Sequence, residues 1–207
     1  MNTGPRLLLL ANAFTDPAQA ARIHEAVAAG IPWVQFRDHA APDALFAEAA
    51  EACAARWRRV APDLRVSVNT RLAVAEGLGV GGHVGTRGPS VAEARQRLGP
   101  RALLGASVHS VAEAVAACGD GADYVVASPI FTTSSKPGHP GQGVAWLQAV
   151  AEAVAPCPVF ALGGVTVERV GPCLAAGAYG VALLSGILAA EDVAAAVHAY
   201  RAAVRSG

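Results

Sequence analysis

The amino-acid sequence predicts an α/β protein, a single-domain (β/α)8 TIM barrel over residues 1–207. Short apolar runs alternate with helical stretches along the whole chain, and eight such units can be counted with no segment left over. Continuous apolar runs are typical of parallel strands that are buried on both faces. Eight βα units without a remainder favour a closed barrel over an open, doubly wound sheet.

Each element has a sequence signal of its own. The predicted strands are the apolar runs at 6–11, 33–37, 64–69, 81–84, 102–107, 123–128, 158–162 and 179–184. Asp16 before Pro17 predicts the first helix, because Asp caps a helix and proline suits its first position. Ser110 with Glu113 three residues later forms a capping-box pattern. The other helices are expected at 42–59, in a short stretch to 76, and at 90–98, 144–154, 166–176 and 191–205.

Composition restricts the class of protein. With 207 residues and 53% hydrophobic residues the chain can bury one substantial core. Its formal net charge of zero argues against a broad basic surface for nucleic acid or an anionic membrane. Residues 7–11 are too short to span a bilayer, so we interpret them as the first strand. The cysteines are widely spaced and predict reduced thiols of a cytoplasmic protein rather than zinc ligands or a disulfide framework: Cys53, Cys118, Cys157 and Cys173.

Two glycine-containing turns near the end of the chain predict a phosphate site. Gly163 and Gly164 follow the seventh strand, and Ser185 and Gly186 follow the eighth. Glycine leaves backbone N–H groups accessible, and the helix that follows favours an anion. A phosphate site after strands seven and eight is frequent in TIM barrels. The alternative is that these glycines only permit tight turns.

Polar residues also end several other predicted strands, where barrel active sites lie. Gln35 and Arg37 alternate with apolar neighbours, so both are expected to point into the barrel mouth. A buried arginine requires an anion, which is either a ligand carboxylate or phosphate or an internal partner such as Asp38. Asn69 ends the third strand.

His109 follows the fifth strand, and the long connection 129–143 contains Lys136. A histidine at this place can transfer protons near neutral pH, or it can be a structural hydrogen-bonding group. The connection is long enough to act as a lid. Lys136 would then hold an anion, or it would be a solvated surface charge.

These residues lie within segments that resemble a known family. The segments 34–38, 67–71, 82–85, 104–110, 122–125, 129–136, 161–165 and 184–187 are similar to thiamine phosphate synthase and to its sister family, which contains the thiazole tautomerase TenI. The resemblance to the synthase implies a transferase that joins a pyrimidine pyrophosphate to a thiazole phosphate and expels pyrophosphate with Mg²⁺. The resemblance to TenI implies a metal-free isomerase that aromatises a dihydrothiazole carboxylate phosphate.

Departures from the synthase pattern decide our choice between the branches. Thr70 and Gly88 stand where the synthase has acids, and His39 replaces its lysine. Magnesium at a pyrophosphate usually needs one or two protein carboxylates. The resemblance therefore predicts a thiazole tautomerase with no metal and no cofactor. Synthase activity, and a noncatalytic thiazole-phosphate-binding regulatory protein, are the alternatives.

The tautomerase prediction assigns roles by resemblance. His109 is the catalytic acid and base, and the phosphate lies on Gly163, Gly164, Ser185 and Gly186. Substrate binding falls to Gln35, Arg37, Asn69, Thr133, Ser135 and Lys136. The expected partner is a small phosphorylated thiazole, with neither nucleic acid nor membrane. A homodimer through the outer helices stays open, with Trp57 or Trp146 either in its face or in the core.

Overall fold

A computed structural model describes residues 4–86, 88–133, 138 and 140–206. Eight parallel strands form a closed barrel in sequence order, because β8 pairs with β1 as well as with β7. The (β/α)8 prediction is confirmed. The strands are β1 Leu7–Asn12, β2 Trp33–Arg37, β3 Arg65–Asn69, β4 Gly81–Val84, β5 Leu104–Val108, β6 Tyr124–Ala127, β7 Val159–Leu162 and β8 Gly180–Leu183.

The helices surround the barrel. They are α1 Pro17–Ala28, α2 Asp43–Val60, α3 Leu72–Leu78, α4 Val91–Leu98, α5 Val111–Gly119, α6 Gly143–Val154, α7 Val167–Ala175, α8 Ser185–Leu188 and α9 Val193–Ser206. The short α8 was not predicted. Only half of the capping box expected for α5 forms: Ser110 Oγ accepts the Glu113 N–H at 3.1 Å, whereas the Glu113 carboxylate accepts the His109 N–H at 2.7 Å.

Large aromatic side chains fill the barrel at the N-terminal ends of its strands. Trp33 and Tyr124 are the first residues of β2 and β6, and their ring centroids lie 4.8 Å apart. Phe160 of β7 packs edge-on against Trp33 at 5.5 Å. Gly105 makes room for this plug, because a Cβ there would collide with the Tyr124 ring. The interior is therefore solid at this end, and open space is left at the C-terminal ends of the strands.

A second core lies between the barrel and its helices, and it includes Trp57. Trp57 is 1% exposed and stacks on Phe36 with centroids 5.0 Å apart. Trp57 was expected either in a dimer face or in the core. It lies in the core, so it cannot contribute to a dimer face. Trp146 is partly buried against the same core. Within the described ranges, no helix combines the length and apolar character needed to cross a membrane.

Candidate active site at the barrel mouth

A cavity of about 640 Å³ opens at the C-terminal ends of the strands. Parallel strands bring all their C-terminal ends to one face, which is why residues distant in sequence meet here. Among the described residues, every predicted site residue lines this cavity: Gln35, Arg37, Asn69, His109, Thr133, Gly163, Gly164, Ser185 and Gly186. The predicted residues Ser135 and Lys136 lie outside the described part of the chain.

Arg37 is a partly buried cation at the end of β2. Its Nη1 donates to Asn12 Oδ1 at 2.9 Å, and no carboxylate of the described residues pairs with it. The alternative partner Asp38 is otherwise engaged, because its carboxylate accepts from Thr15 Oγ1 at 2.7 Å and from two backbone N–H groups at 3.1 Å. Burial lowers the pKa of Arg37. A partly buried guanidinium without a carboxylate favours an anionic ligand.

Gln35 lies two residues before Arg37 on the same strand and therefore deeper in the barrel. It is 1% exposed, and its Nε2 makes no hydrogen bond of normal length and angle with the described residues, although the side chain lies near enough to the Tyr124 hydroxyl to oppose the rise in the pKa of that phenol caused by burial. A buried donor without an acceptor costs about 1–3 kcal/mol. Because the side chain lines the cavity, a ligand acceptor there would remove this cost.

A polar network that includes His83 forms part of the cavity wall. The His83 ring is within hydrogen-bond distance of Tyr124 Oη through Nδ1 at 3.1 Å and of Ser107 Oγ through Nε2 at 2.9 Å. Burial, with a smaller contribution from the Arg37 charge, lowers the pKa of His83 to about 3. The ring is therefore neutral at physiological pH and positions its neighbours. Because His83 lies on β4 and its partners lie on β5 and β6, the sequence gave no sign of this network.

The Gly163–Gly164 turn is fixed by a neighbouring loop. Both residues have positive φ, of 100° and 62°. A Cβ on Gly163 would lie 2.8 Å from Pro129 Cβ, and one on Gly164 would collide with the Thr132 carbonyl oxygen. Phe131 N–H donates to Gly163 O at 2.9 Å. Close packing therefore requires these glycines, which supports the tight-turn explanation without testing a phosphate role.

The turn after β8 is equally close to α9. Ser185 and Gly186 begin α8, and a Cβ on Gly186 would lie 2.5 Å from Tyr200 Oη. Sequence reasoning missed Arg169 of α7, which also lines the cavity. Its Nη1 donates to Gly164 O at 2.7 Å, and its guanidinium lies 4.5 Å from the centre of the Phe131 ring. Arg169 lies in the first helical turn after the two glycines, and this position in the sequence could have indicated that it is near the cavity.

His109 lies at the edge of the cavity, and Glu113 holds its ring loosely. Nδ1 is 3.5 Å from Glu113 Oε2, and the two side chains are 33% and 48% exposed. Gln142 Nε2 donates to the His109 carbonyl oxygen at 3.1 Å, which ties β5 to the loop before α6. The ring can reach a ligand in the mouth from this place.

Thr70 and Gly88, the two positions occupied by acids in the synthase pattern, adjoin each other. A Cβ on Gly88 would lie 3.1 Å from Thr70 Cγ2. Thr70 has a φ of +66°, which is uncommon for a β-branched residue. Among the described residues, no three His, Cys, Asp or Glu side chains are placed to hold a metal ion. The carboxylate of Asp38, the residue after β2, already accepts three hydrogen bonds. These residues do not fit a Mg²⁺ site built from protein carboxylates.

Comparison with known proteins identifies the family. The family model described as thiamine monophosphate synthase matches residues 9–187. A thiamine-phosphate synthase of Methanoculleus marisnigri is 42% identical over 180 residues, which are 85% of this chain and 83% of that protein. One of Chloroflexus aurantiacus is 37% identical over 88% of this chain and 83% of that protein. A solved structure named thiamine phosphate pyrophosphorylase, from Pyrococcus furiosus, superposes with a TM-score of 0.85 at 27% identity, covering 97% of this chain and 96% of that one.

These comparisons overturn the prediction of a thiazole tautomerase, and with it the prediction of an isomerase. The curated relatives named here are thiamine-phosphate synthases, which favours the alternative that we considered second. The prediction was wrong because it gave decisive weight to substitutions at the rim, chiefly Thr70 and Gly88. Rim residues can change while the barrel that determines overall similarity stays the same. By sequence over most of its length, the chain belongs to the thiamine monophosphate synthase family.

Proposed function

We propose that this protein is a thiamine-phosphate synthase, a transferase that joins a pyrimidine pyrophosphate to a thiazole phosphate and releases pyrophosphate. The similarity to proteins of that name along most of the chain supports the reaction. The structural observation that carries the proposal is the partly buried cation Arg37 beside the unpartnered amide nitrogen of Gln35, both on the wall of one cavity. A cation next to a hydrogen-bond donor without an acceptor suits a ligand that carries an anionic group and a ring with a hydrogen-bond acceptor.

The proposed roles divide the cavity between two substrates. Gln35 Nε2 donates to an acceptor on the pyrimidine ring, and Arg37 binds the pyrophosphate. The thiazole phosphate lies on the backbone N–H groups of Gly163 and Gly164. Other polar residues that line the cavity complete the two subsites: Asn69 and Thr133 near the pyrophosphate, and Ser185 and Gly186 near the phosphate.

The chain's own residues accelerate this reaction by position and charge. Two substrates held side by side react without the entropy cost of a bimolecular encounter. Negative charge grows on the pyrophosphate as its bond to the pyrimidine carbon breaks, and Arg37 stabilises that charge from a partly dehydrated position. His109 at the cavity edge is proposed to donate a proton or a hydrogen bond to the departing pyrophosphate.

The test is direct synthesis. Purified protein is mixed with the pyrimidine pyrophosphate, the thiazole phosphate and a series of Mg²⁺ concentrations, and thiamine phosphate is measured after oxidation to its fluorescent thiochrome derivative. We expect turnover, and we expect Arg37→Met to lower kcat/KM by roughly 100-fold, on the scale of losing a charged transition-state contact. Arg97→Met is the matched control, since Arg97 pairs with Glu76 on the exposed surface.

Two outcomes would contradict the proposal. No thiamine phosphate at any Mg²⁺ concentration would exclude a synthase, and calorimetry with thiazole phosphate would then show whether the chain is a noncatalytic binder. Turnover equal to the unmodified protein in Arg37→Met would refute the role assigned to Arg37.

A further inference from the structure

Two cysteines meet on the side of the barrel remote from the active site. Cys118 lies near the end of α5, and Cys157 lies in the turn that leads into β7. Their sulfur atoms are 2.6 Å apart, and both thiols are free and only partly buried. A disulfide requires sulfur atoms about 2.05 Å apart. The two sulfur atoms therefore lie close to the separation of a covalent bond.

We propose that Cys118 and Cys157 are an oxidation site that forms a reversible disulfide with a small-molecule disulfide such as oxidised glutathione as the oxidant. The Cys118 thiolate attacks one glutathione sulfur, which forms a mixed disulfide and releases one reduced glutathione. The Cys157 sulfur then attacks Cys118 Sγ and releases the second. The cysteine pair loses two protons and two electrons, and one glutathione disulfide becomes two thiols.

The surroundings of the pair explain the proposed order of attack. Burial raises the pKa of both thiols. The pKa of Cys157 is raised further by its hydrogen bond with Cys118, by the charge of a Cys118 thiolate and by the Asp123 carboxylate. That same hydrogen bond stabilises a Cys118 thiolate, so Cys118 ionises first. Asp123 is itself paired with Arg95 at 2.7 Å.

The bond would lock together two elements that carry site residues at their other ends. The residue before the helix cap of α5 is His109, and β7 leads into Gly163 and Gly164. The cross-link closes a loop between positions 39 residues apart that contains β6 and α6. Closing a loop of this length restricts the unfolded chain, so we expect the melting temperature to rise by roughly 5–10 °C. The site geometry should persist because the bond forms where the sulfur atoms already meet.

Thiol counting under denaturing conditions tests the proposal. The reduced protein has four thiols. After incubation with oxidised glutathione we expect two, with the mass of two hydrogens lost and a peptide map that joins Cys118 to Cys157. Cys53→Ser is the matched control, since Cys53 is another partly buried free thiol, and it should still form the bond. Cys118→Ser should stop at a glutathione adduct or stay reduced.

Four persisting thiols, or a bridge mapped to Cys53 or Cys173, would overturn the proposal. An unchanged melting temperature in protein whose Cys118–Cys157 bond is complete by mass would refute the expected stabilisation, while the bond itself would stand. The peptide map of the unsubstituted protein decides the matter even if Cys118→Ser fails to fold.

Discussion

The packing around Gly164 predicts that alanine at this position destabilises the protein. Comparison with alanine at Gly79 separates the contribution of backbone strain from that of the steric collision. Gly164 and Gly79 have the same φ of +62°. A Cβ on Gly79 would meet nothing within 4 Å, whereas a Cβ on Gly164 would collide with the Thr132 carbonyl oxygen and lie 2.9 Å from Phe131 Cβ. Alanine at Gly79 therefore reports backbone strain alone, and alanine at Gly164 reports strain together with the collision.

The magnitudes follow from these two contributions. A left-handed conformation costs a non-glycine residue about 1–2 kcal/mol. Overpacking against a backbone atom that cannot rotate away adds about 1–3 kcal/mol. We expect Gly79→Ala to lower the free energy of unfolding by about 1–2 kcal/mol, and Gly164→Ala by roughly 2–5 kcal/mol. The Gly164 variant should also raise KM for the thiazole phosphate, because the turn that we assign to its phosphate must shift.

Urea denaturation of the two variants and the unsubstituted protein measures the difference. Equal losses of unfolding free energy in Gly79→Ala and Gly164→Ala would refute the collision and, with it, the close approach of residues 129–132 to this turn. An unchanged KM in Gly164→Ala would refute the proposed phosphate contact.

Two further predictions concern pH and metal. Because the folded-state pKa of His83 is about 3, below its ordinary value of 6.5, the folded protein resists protonation that the unfolded chain accepts. The free energy of unfolding, measured by urea denaturation, should therefore fall by about 2 kcal/mol between pH 7 and pH 5. A His24→Gln variant is the control and should show the same decrease. A free energy of unfolding that does not change with pH would contradict a buried neutral His83. Thr70→Asp should lower the Mg²⁺ concentration for half-maximal turnover severalfold, because it places a carboxylate at the mouth and aspartate tolerates positive φ better than threonine does. An unchanged Mg²⁺ titration would show that position 70 does not reach the metal.

The strands of the barrel and the residues at its mouth were predictable because each strand has a recognisable local sequence pattern. A parallel strand buried on both faces is a continuous apolar run, and its last residues must lie at the common mouth of a closed barrel. Gln35 and Arg37 could thus be placed in the cavity from alternation alone, and the structure places them there. The four-residue α8 was missed because so short a helix leaves no periodic pattern.

Contacts set by packing between distant elements could not be predicted. The Cys118–Cys157 approach depends on how the end of α5 meets the turn before β7, and their spacing in sequence carries no sign of it. The same holds for the hydrogen bonds of His83 on β4 to Ser107 on β5 and Tyr124 on β6, which join side chains of strands far apart in sequence. Periodicity reports which face of an element is buried, and it does not report which partner the face meets.

Threonine at position 70 and glycine at position 88 change the charge of the barrel mouth, and this change affects anion binding. An acid at Thr70 and another at Gly88 would place two adjacent negative charges at the mouth where we propose that the pyrophosphate binds. Such charges repel the ligand unless a divalent cation lies between them. With threonine and glycine there, Arg37 faces no carboxylate of the described residues, and Arg169 adds a second cation on the same cavity. The loss of the acids therefore lowers the electrostatic cost of binding pyrophosphate at this mouth, and it is compatible with synthesis where it first suggested a different reaction.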